Sequence, residues 1–389
     1  MSKERLLFVY DYFYPAYKAG GPVQSLTNLA ISLQDEFEIS VLTGSNDLGM
    51  TTSLAGILPD QWNDVMLPGA KEKIKVWYAS SKMGWTGMKD FFRSIQPSVV
   101  YLNGIFTFQF VLLPLLLIHN SRIVICPRGM LQPGALAGKS LKKKLYIFFL
   151  KLTGIISKVS WHATGEEEMR DIKRVFGKSC KVTEAGNIPK PPVEKFYTTE
   201  KKEGALRLVH LSVISEKKNL LFTIELISSL EGQISLDIYG PVKDKAYWEK
   251  CQAVIRNSKG RIQYKGDVMP LVVQEVFSKY DAAVFFTKGE NFGHALYESL
   301  SAGRPIITSY FTPWNNLQMQ QAGWNTDIAD REQAGKLIRD IAAMDAVSFR
   351  PYCEGALALA NKYFREGCGI SGYIDMFSEN KAYNDSSRN

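Results

Sequence analysis

Short apolar runs alternate with stretches of helical spacing along the whole chain, and the alternation takes the same form in both halves. In the first half, residues 6–10, 39–43, 99–102 and 123–126 read as strands, with helical spacing at 22–34 and through the apolar stretch 108–118. In the second half, residues 206–211, 235–239, 262–264, 282–286 and 305–308 read as strands, with helical stretches at 218–230 and 271–279. Strands that alternate with helices predict parallel sheets covered on both faces, and short continuous apolar runs fit strands buried on both sides. The pattern therefore predicts an α/β chain of two doubly wound domains, although strand order does not follow from it.

The halves meet at Gly186-Asn187-Ile188-Pro189-Lys190-Pro191-Pro192-Val193, where prolines remove amide donors and fix φ. We expect an N-terminal domain over 1–188, a stiff linker over 189–204, a C-terminal domain over 205–365 and a final segment over 366–389. Within the last part, 356–364 and 370–378 are spaced as helices, and the polar run 380–389 reads as a frayed tail.

A chain of 389 residues exceeds one ordinary core, which agrees with two domains. Its first residues end their apolar run at Asp11 without a small-residue cleavage site, so they do not read as a signal peptide. No apolar run approaches the ~18 residues that a membrane-spanning helix needs. The cysteines at 126, 180, 251, 353 and 368 lack paired or metal-ligand spacing and read as reduced thiols of a cytoplasmic protein. A net charge of +8 concerns partners rather than fold. Without a nucleic-acid recognition motif, it points to an anionic membrane surface or to phosphate-rich substrates. Lys139-Ser140-Leu141-Lys142-Lys143-Lys144 runs into the apolar Leu145-Tyr146-Ile147-Phe148-Phe149-Leu150. Such a helix can lie among lipid headgroups, or pack on its own domain with its lysines at the exposed end.

The densest candidate chemistry lies in Lys288-Gly289-Glu290-Asn291-Phe292-Gly293-His294-Ala295-Leu296-Tyr297-Glu298. An apolar strand precedes it, a helix over 295–302 follows, and Gly303-Arg304-Pro305 ends that helix before the next apolar run. Strand, glycine-bearing loop and helix N-terminus form an anion site, because the first helical N–H groups lack backbone partners. Glu290 would repel a bare phosphate. A ligand with both phosphate and hydroxyls, such as a sugar nucleotide, fits both features.

These residues, with Ser299-Leu300-Ser301-Ala302-Gly303-Arg304-Pro305-Ile306-Ile307, resemble the Glu-x7-Glu signature of family-four retaining glycosyltransferases of group 1. The resemblance implies a GT-B fold, two Rossmann-like domains facing across a cleft, with the final helices crossing back to the N-terminal domain. It places Glu290 at the donor sugar and Glu298 at the ribose hydroxyls, with Asn291, Phe292, Gly293 and His294 lining the donor. Gly20-Gly21-Pro22, after the first strand, is similar to the family's Gly-Gly loop, which faces the donor diphosphate. In Ser212-Val213-Ile214-Ser215-Glu216-Lys217-Lys218, Lys218 matches the family's phosphate-binding lysine, whereas Val213 stands where an Arg is usual. A charge-assisted contact of that kind contributes about 1.5–3 kcal/mol. Lys217 or Arg128, in Cys126-Pro127-Arg128-Gly129, is the candidate replacement, and Arg128 is expected to reach phosphate or acceptor. His162 reads more readily as a structural histidine. Gly240 fits a turn near the donor or a plain turn. Thr312-Pro313-Trp314 and Gly323-Trp324 resemble a surface-polysaccharide subset of the family, and also fit a loop anchored by buried tryptophans.

The implied reaction is retaining transfer from a nucleotide-diphosphate sugar to a glycan or lipid-linked glycan, with Glu290, Lys218 and Arg128 as catalytic candidates. No Asp-x-Asp occurs in the chain, so no metal or other cofactor is implied. The expected place is the cytoplasm, at the inner face of the membrane in capsule, O-antigen or exopolysaccharide assembly. Another sugar-nucleotide enzyme, or a non-catalytic sugar-nucleotide-binding scaffold, remains open, and Val213 argues best for the scaffold.

Overall fold

Leu6, Leu7, Phe8 and Val9 are all fully buried, so strand β1 (Glu4–Val9) presents apolar side chains to both faces of its sheet. A computed structural model describes residues 3–80, 83–137, 140–194, 201–258, 260–367 and 369–378. Lys139 of the basic segment, Cys368, residues 195–200 of the expected linker and the tail 380–389 lie outside them. The chain divides into two units, one formed by Met1–Ile188 with Cys368–Asn389 and the other by Pro189–Gly367.

In the first unit β1 is flanked by β2 (Phe37–Gly44) and by β5 (Val99–Asn103), the strand that follows the antiparallel pair of β3 (Trp62–Met66) and β4 (Lys73–Ala79). Next come β6 (Arg122–Cys126), β7 (Ser160–Ala163) and β8 (Val182–Glu184), and the sheet order is β3-β4-β2-β1-β5-β6-β7-β8. Only the edge strand β3 is antiparallel. One face carries Leu6, Phe8, Val41 and Tyr101 into one core; the other carries Leu7, Val9, Leu42 and Leu102 into a second core.

The helix Ile370–Ser378 closes the first of these cores, although residues 189–369 separate it from Ile188. Its Tyr373, Met376 and Phe377 are buried, and the Phe377 ring sits 6.0 Å from Phe37 and 5.2 Å from Tyr101.

The second unit contains β9 (Ala205–Leu211), β10 (Gln233–Tyr239), β11 (Ile262–Gly266), β12 (Ala282–Phe285), β13 (Ile306–Ser309) and β14 (Gly323–Thr326). All run parallel in the order β11-β10-β9-β12-β13-β14. In both sheets the strand that comes first in the chain is central, and the winding reverses beside it, which is the doubly wound arrangement. The segment 189–194, expected as linker, is held to this unit: Val193 N–H donates to Ser301 O at 3.0 Å and Tyr297 Oη donates to Lys190 O at 3.0 Å. Lys201 is likewise buried, its ammonium donating to the carbonyls of Ala342 and Met344. The four described cysteines are free, and among the described residues no helix is long and apolar enough to cross a membrane.

Truncating Phe377 to Ala should lower the stability of the first unit by about 3–5 kcal/mol, the range for a buried Phe. Denaturant unfolding followed by near-UV circular dichroism checks this, and an unchanged midpoint would mean that the final helix does not belong to that core.

Candidate active site

The second sheet reverses its winding between β9 and β12, where Leu208 lies opposite Ala282 and Val209 opposite Ala283. Their following loops leave towards opposite faces, opening a crevice beyond the carboxyl ends of the two strands. The β9 loop brings Lys217 and Lys218; the β12 loop brings Glu290. Lys288 N–H donates to Lys217 O at 2.9 Å, and Thr287 Oγ1 donates to the same carbonyl at 3.2 Å. Across this backbone seam the Lys218 ammonium is ion-paired with Glu290 Oε1, and both side chains are largely shielded from water. The Lys217 chain passes over Gly289, where a Cβ would meet its Cε at 3.5 Å. Partial burial lowers the Lys217 pKa, Glu290 pulls it back up, and Lys218 lowers it further.

Gly240 decides how closely the β10 loop can approach. Its φ is 123°, and a Cβ there would lie 2.0 Å from Ser212 O. Ser212 N–H donates to Tyr239 O and Ile214 N–H to Pro241 O, so the start of the β9 loop, including Val213, is fixed by backbone. The turn at Gly240 is thus a packing requirement of this loop pair.

Glu290 is held from its other side, because its N–H donates to Phe311 O at 2.9 Å. Gly293 then adopts φ 77° and starts the helix His294–Ser301. Below this turn, Phe292, Tyr297, Trp314 and Tyr363 form a four-ring cluster with centroids 5.2–6.0 Å apart. The Trp314 indole donates to Phe292 O at 2.7 Å. The Phe292 ring is buried in this cluster, and its burial gives the loop its anchor. The buried Trp314 and Trp324 support the same structural reading of the tryptophan motifs. Asn291 and His294 flank the cluster, and the His294 ring lies 4.8 Å from that of Phe292.

Glu298 is 3% exposed, which sets aside a solvated helix position. Its Oε1 lies 3.9 Å from the Lys190 ammonium, whose pKa is lowered by burial and partly restored by Glu298. A carboxylate this deep needs polar partners or a ligand that supplies them.

Pattern reading gave no role to His210 and Ser212. His210 is buried, with Nδ1 2.8 Å from Val284 O and Nε2 2.7 Å from Ser212 Oγ. A carbonyl only accepts, so Nδ1 carries the proton and the Ser212 hydroxyl donates to Nε2. Burial pushes the imidazole pKa down to about 4. The available signal was a lone histidine inside an apolar strand, Leu208-Val209-His210-Leu211.

The corresponding loops of the first unit are more self-satisfied. Gly20 has φ 79° and its N–H closes a turn on Tyr17 O; Val23 N–H returns to Gly20 O, and Pro22 has no N–H. Of these first positions only Gly21 keeps an amide not committed to that turn, so the glycine pair offers an anion less than its sequence suggests. Asp47, another residue without a sequence signal, fixes the loop by accepting from the Tyr17 and Lys18 amides at 3.0 and 3.1 Å.

Arg128 sits in a polar network of the first unit. Its φ is 55°, and its guanidinium donates to Asn103 Oδ1, Asn187 Oδ1 and Tyr101 Oη at 2.9, 2.8 and 3.1 Å. Tyr101 Oη in turn lies 2.7 Å from His162 Nδ1, and His162 Nε2 donates to Ala185 O at 2.9 Å. Arg128 is the cation of an interior network, and His162 is structural, its pKa lowered to about 3 by burial and by Arg128. Neither residue is brought to the Lys218–Glu290 pair within one unit.

Residues 194–344 match the family model described as "Glycosyl transferases group 1". The chain carries a group 1 glycosyltransferase domain. No curated protein matches the sequence. Solved structures share the fold over nearly the whole glycosyltransferase chain. Sucrose-phosphate synthase from Thermosynechococcus elongatus has a TM-score of 0.74 at 13% identity, covering 98% of this chain and 100% of its own. HepE from Anabaena, in complex with UDP and glucose, gives 0.69 at 13%, covering 99% and 100%. WaaG, a glycosyltransferase involved in lipopolysaccharide biosynthesis, gives 0.66 at 12%, covering 96% and 99%. The fold is GT-B, and the matched residues of this glycosyltransferase include Lys217, Lys218, Glu290 and Glu298.

Nitrogen NMR of the imidazole rings should show His210 protonated on Nδ1 and His162 on Nε2, both neutral at pH 5.5. Because the unfolded chain protonates His210 near pH 6.5 and the folded chain near 4, this residue makes stability fall as pH drops between those values, on the order of 3 kcal/mol in all. Protonated imidazole at either site at pH 5.5 would contradict the networks.

Proposed function

We propose that this glycosyltransferase moves a sugar, with retention at the anomeric carbon, from a nucleotide-diphosphate sugar to a hydroxyl of a glycan or lipid-linked glycan. The observation that carries the reading is the Lys218–Glu290 pair at the winding reversal, followed eight residues later by the buried Glu298. Cleaving the donor puts negative charge on the leaving diphosphate. Lys217 and Lys218 are assigned to that charge, since fixed cations in a shielded crevice stabilise it more than water does. Glu290 is assigned to the sugar hydroxyls and Glu298 to the ribose hydroxyls. Neither a metal nor a cofactor enters the proposal.

In the donor complex the sugar hydroxyls would compete with Lys218 for Glu290 and release the ammonium towards phosphate. Ion pair and donor are then alternative partners of one carboxylate. UDP-sugars are the first candidates because HepE, of the same fold, is recorded with UDP and glucose. The role of WaaG in lipopolysaccharide biosynthesis supports a glycan-bearing lipid as acceptor, and with it a cytoplasmic enzyme of envelope-polysaccharide assembly.

Calorimetric titration with UDP-, GDP- and ADP-sugars, paired with nucleotide release in the presence of lipid extract, tests this. Glu298→Ala should weaken donor binding about 10- to 100-fold, the loss expected for a charge-assisted contact. Glu290→Gln should bind donor but lower kcat by about 100-fold or more. Unchanged kinetics in both variants would remove the site assignment. Tight binding of one donor without any transfer would favour a non-catalytic subunit.

A further inference from the structure

The helix Ser140–Leu152 carries a row of large apolar side chains that the rest of the chain leaves uncovered. Leu141, Leu145, Phe148 and Leu152 are 59–73% exposed, and Phe149 is 42% exposed. At 100° per residue the first four lie within about 60° of one another. The opposite side holds the helix to its own unit: Leu150 is fully buried, and Tyr146 and Ile147 pack against the same core. Lys143 also turns inward, its ammonium donating to Ala135 O and lying 5.2 Å from the centre of the Phe106 ring. The exposed Lys142 lies on one side of the apolar row, and the exposed Lys144 and Lys151 on the other, about 70–90° from its centre.

The charge distribution adds an independent observation. Between Asp90 and Glu166 the chain contains no acidic residue at all. That interval holds Arg93, Arg122, Arg128 and six lysines, leaving 38 basic and 39 acidic residues elsewhere. The whole surplus of positive charge therefore belongs to the segment that carries the uncovered apolar row.

We propose that this helix is a docking face for an anionic lipid bilayer, lying in the membrane surface with its apolar row among the upper acyl chains and its lysines at the headgroup phosphates. An outward apolar row between rows of lysines matches the two layers of a bilayer interface in order and in sign. A second copy of the chain is a poorer occupant. A two-fold contact would place the same lysine rows against each other, with no acidic residue in the interval to answer them. The inference extends the lipid-linked acceptor reading, but it concerns a surface remote in sequence from the donor residues and is tested without turnover.

The experiment is flotation of the purified full chain with phosphatidylcholine vesicles, with and without phosphatidylglycerol, in the absence of sugar nucleotide. The chain should float with the anionic vesicles and far less with the neutral ones, and added salt should release it. Leu145→Glu with Phe148→Glu should weaken binding by about tenfold or more, with unchanged thermal melting because both side chains already face solvent. Lys142→Gln, Lys144→Gln and Lys151→Gln should remove the preference for anionic lipid, by about fivefold per lysine. Wild-type chain that ignores anionic vesicles, or variants that bind as wild type does, would overturn the proposal. So would wild-type chain that self-associates without lipid while the Leu145/Phe148 variant stays monomeric. Loss of donor binding by Glu298→Ala with vesicle binding intact would keep the two readings separate.

Discussion

The second unit turns on one constraint: β9 and β12 are neighbours in the sheet, yet the chain leaves them towards opposite faces. Parallel neighbours with diverging connections cannot cover the ends of their own strands, so polar backbone is left facing a crevice. The chain bridges part of it by bonding the Lys288 amide to the Lys217 carbonyl and fills the next layer with the Lys218–Glu290 pair. Everything assigned to a donor is arranged around that seam. Gly240 lets the third loop approach, the Phe292–Trp314 cluster fixes the height of the β12 loop, and His210 secures Ser212 from beneath.

Two buried polar networks meet the same requirement in different ways. In the first unit, Arg128 is satisfied by oxygens of Asn103, Asn187 and Tyr101, so its charge is spread over neutral acceptors. Such a cation is fixed in place because each acceptor is itself held, as Asn187 is by Ser25 and Tyr101 by His162. In the second unit a cation meets a carboxylate directly. Removing water from two charges is costly, and their attraction returns that cost only with good geometry. A site in which a ligand can supply replacement partners for both charges uses this near-balance, whereas Arg128 is bonded to neutral acceptors alone.

The sequence made the central strands legible because burial on both faces gives unbroken apolar runs, as in Leu6-Leu7-Phe8-Val9 and Ala282-Ala283-Val284-Phe285. It hid the strands with mixed surroundings. Strand β4 alternates lysines with apolar residues, β3 lies at an edge, and β8 has only three residues. Glu290 and Glu298 were legible because strand, loop and helix signals frame them. The contacts of Arg128, Phe292 and Gly20 were not, because the destination of a side chain or an amide depends on contacts distant in sequence. Asn187, which holds Arg128, lies 59 residues away from it.

The valine at position 213 asks where a diphosphate would find its cations, and the charge distribution narrows the answer. Between them the two loops contribute Lys217, Lys218 and Lys288 against Glu216 and Glu290, a surplus of one positive charge. Two nearby pairings, Lys218 with Glu290 and Lys288 with Glu216, hold two of the three cations before any ligand arrives. The large positive balance of the chain lies between Asp90 and Glu166, outside these two loops. Exchange is the remaining source within the second unit. A sugar that takes Glu290 frees Lys218, so the hydroxyls of the donor would determine how much positive charge its phosphates meet. On this account, a donor lacking the right hydroxyls loses both contacts together, and sugar recognition and phosphate neutralisation become one event.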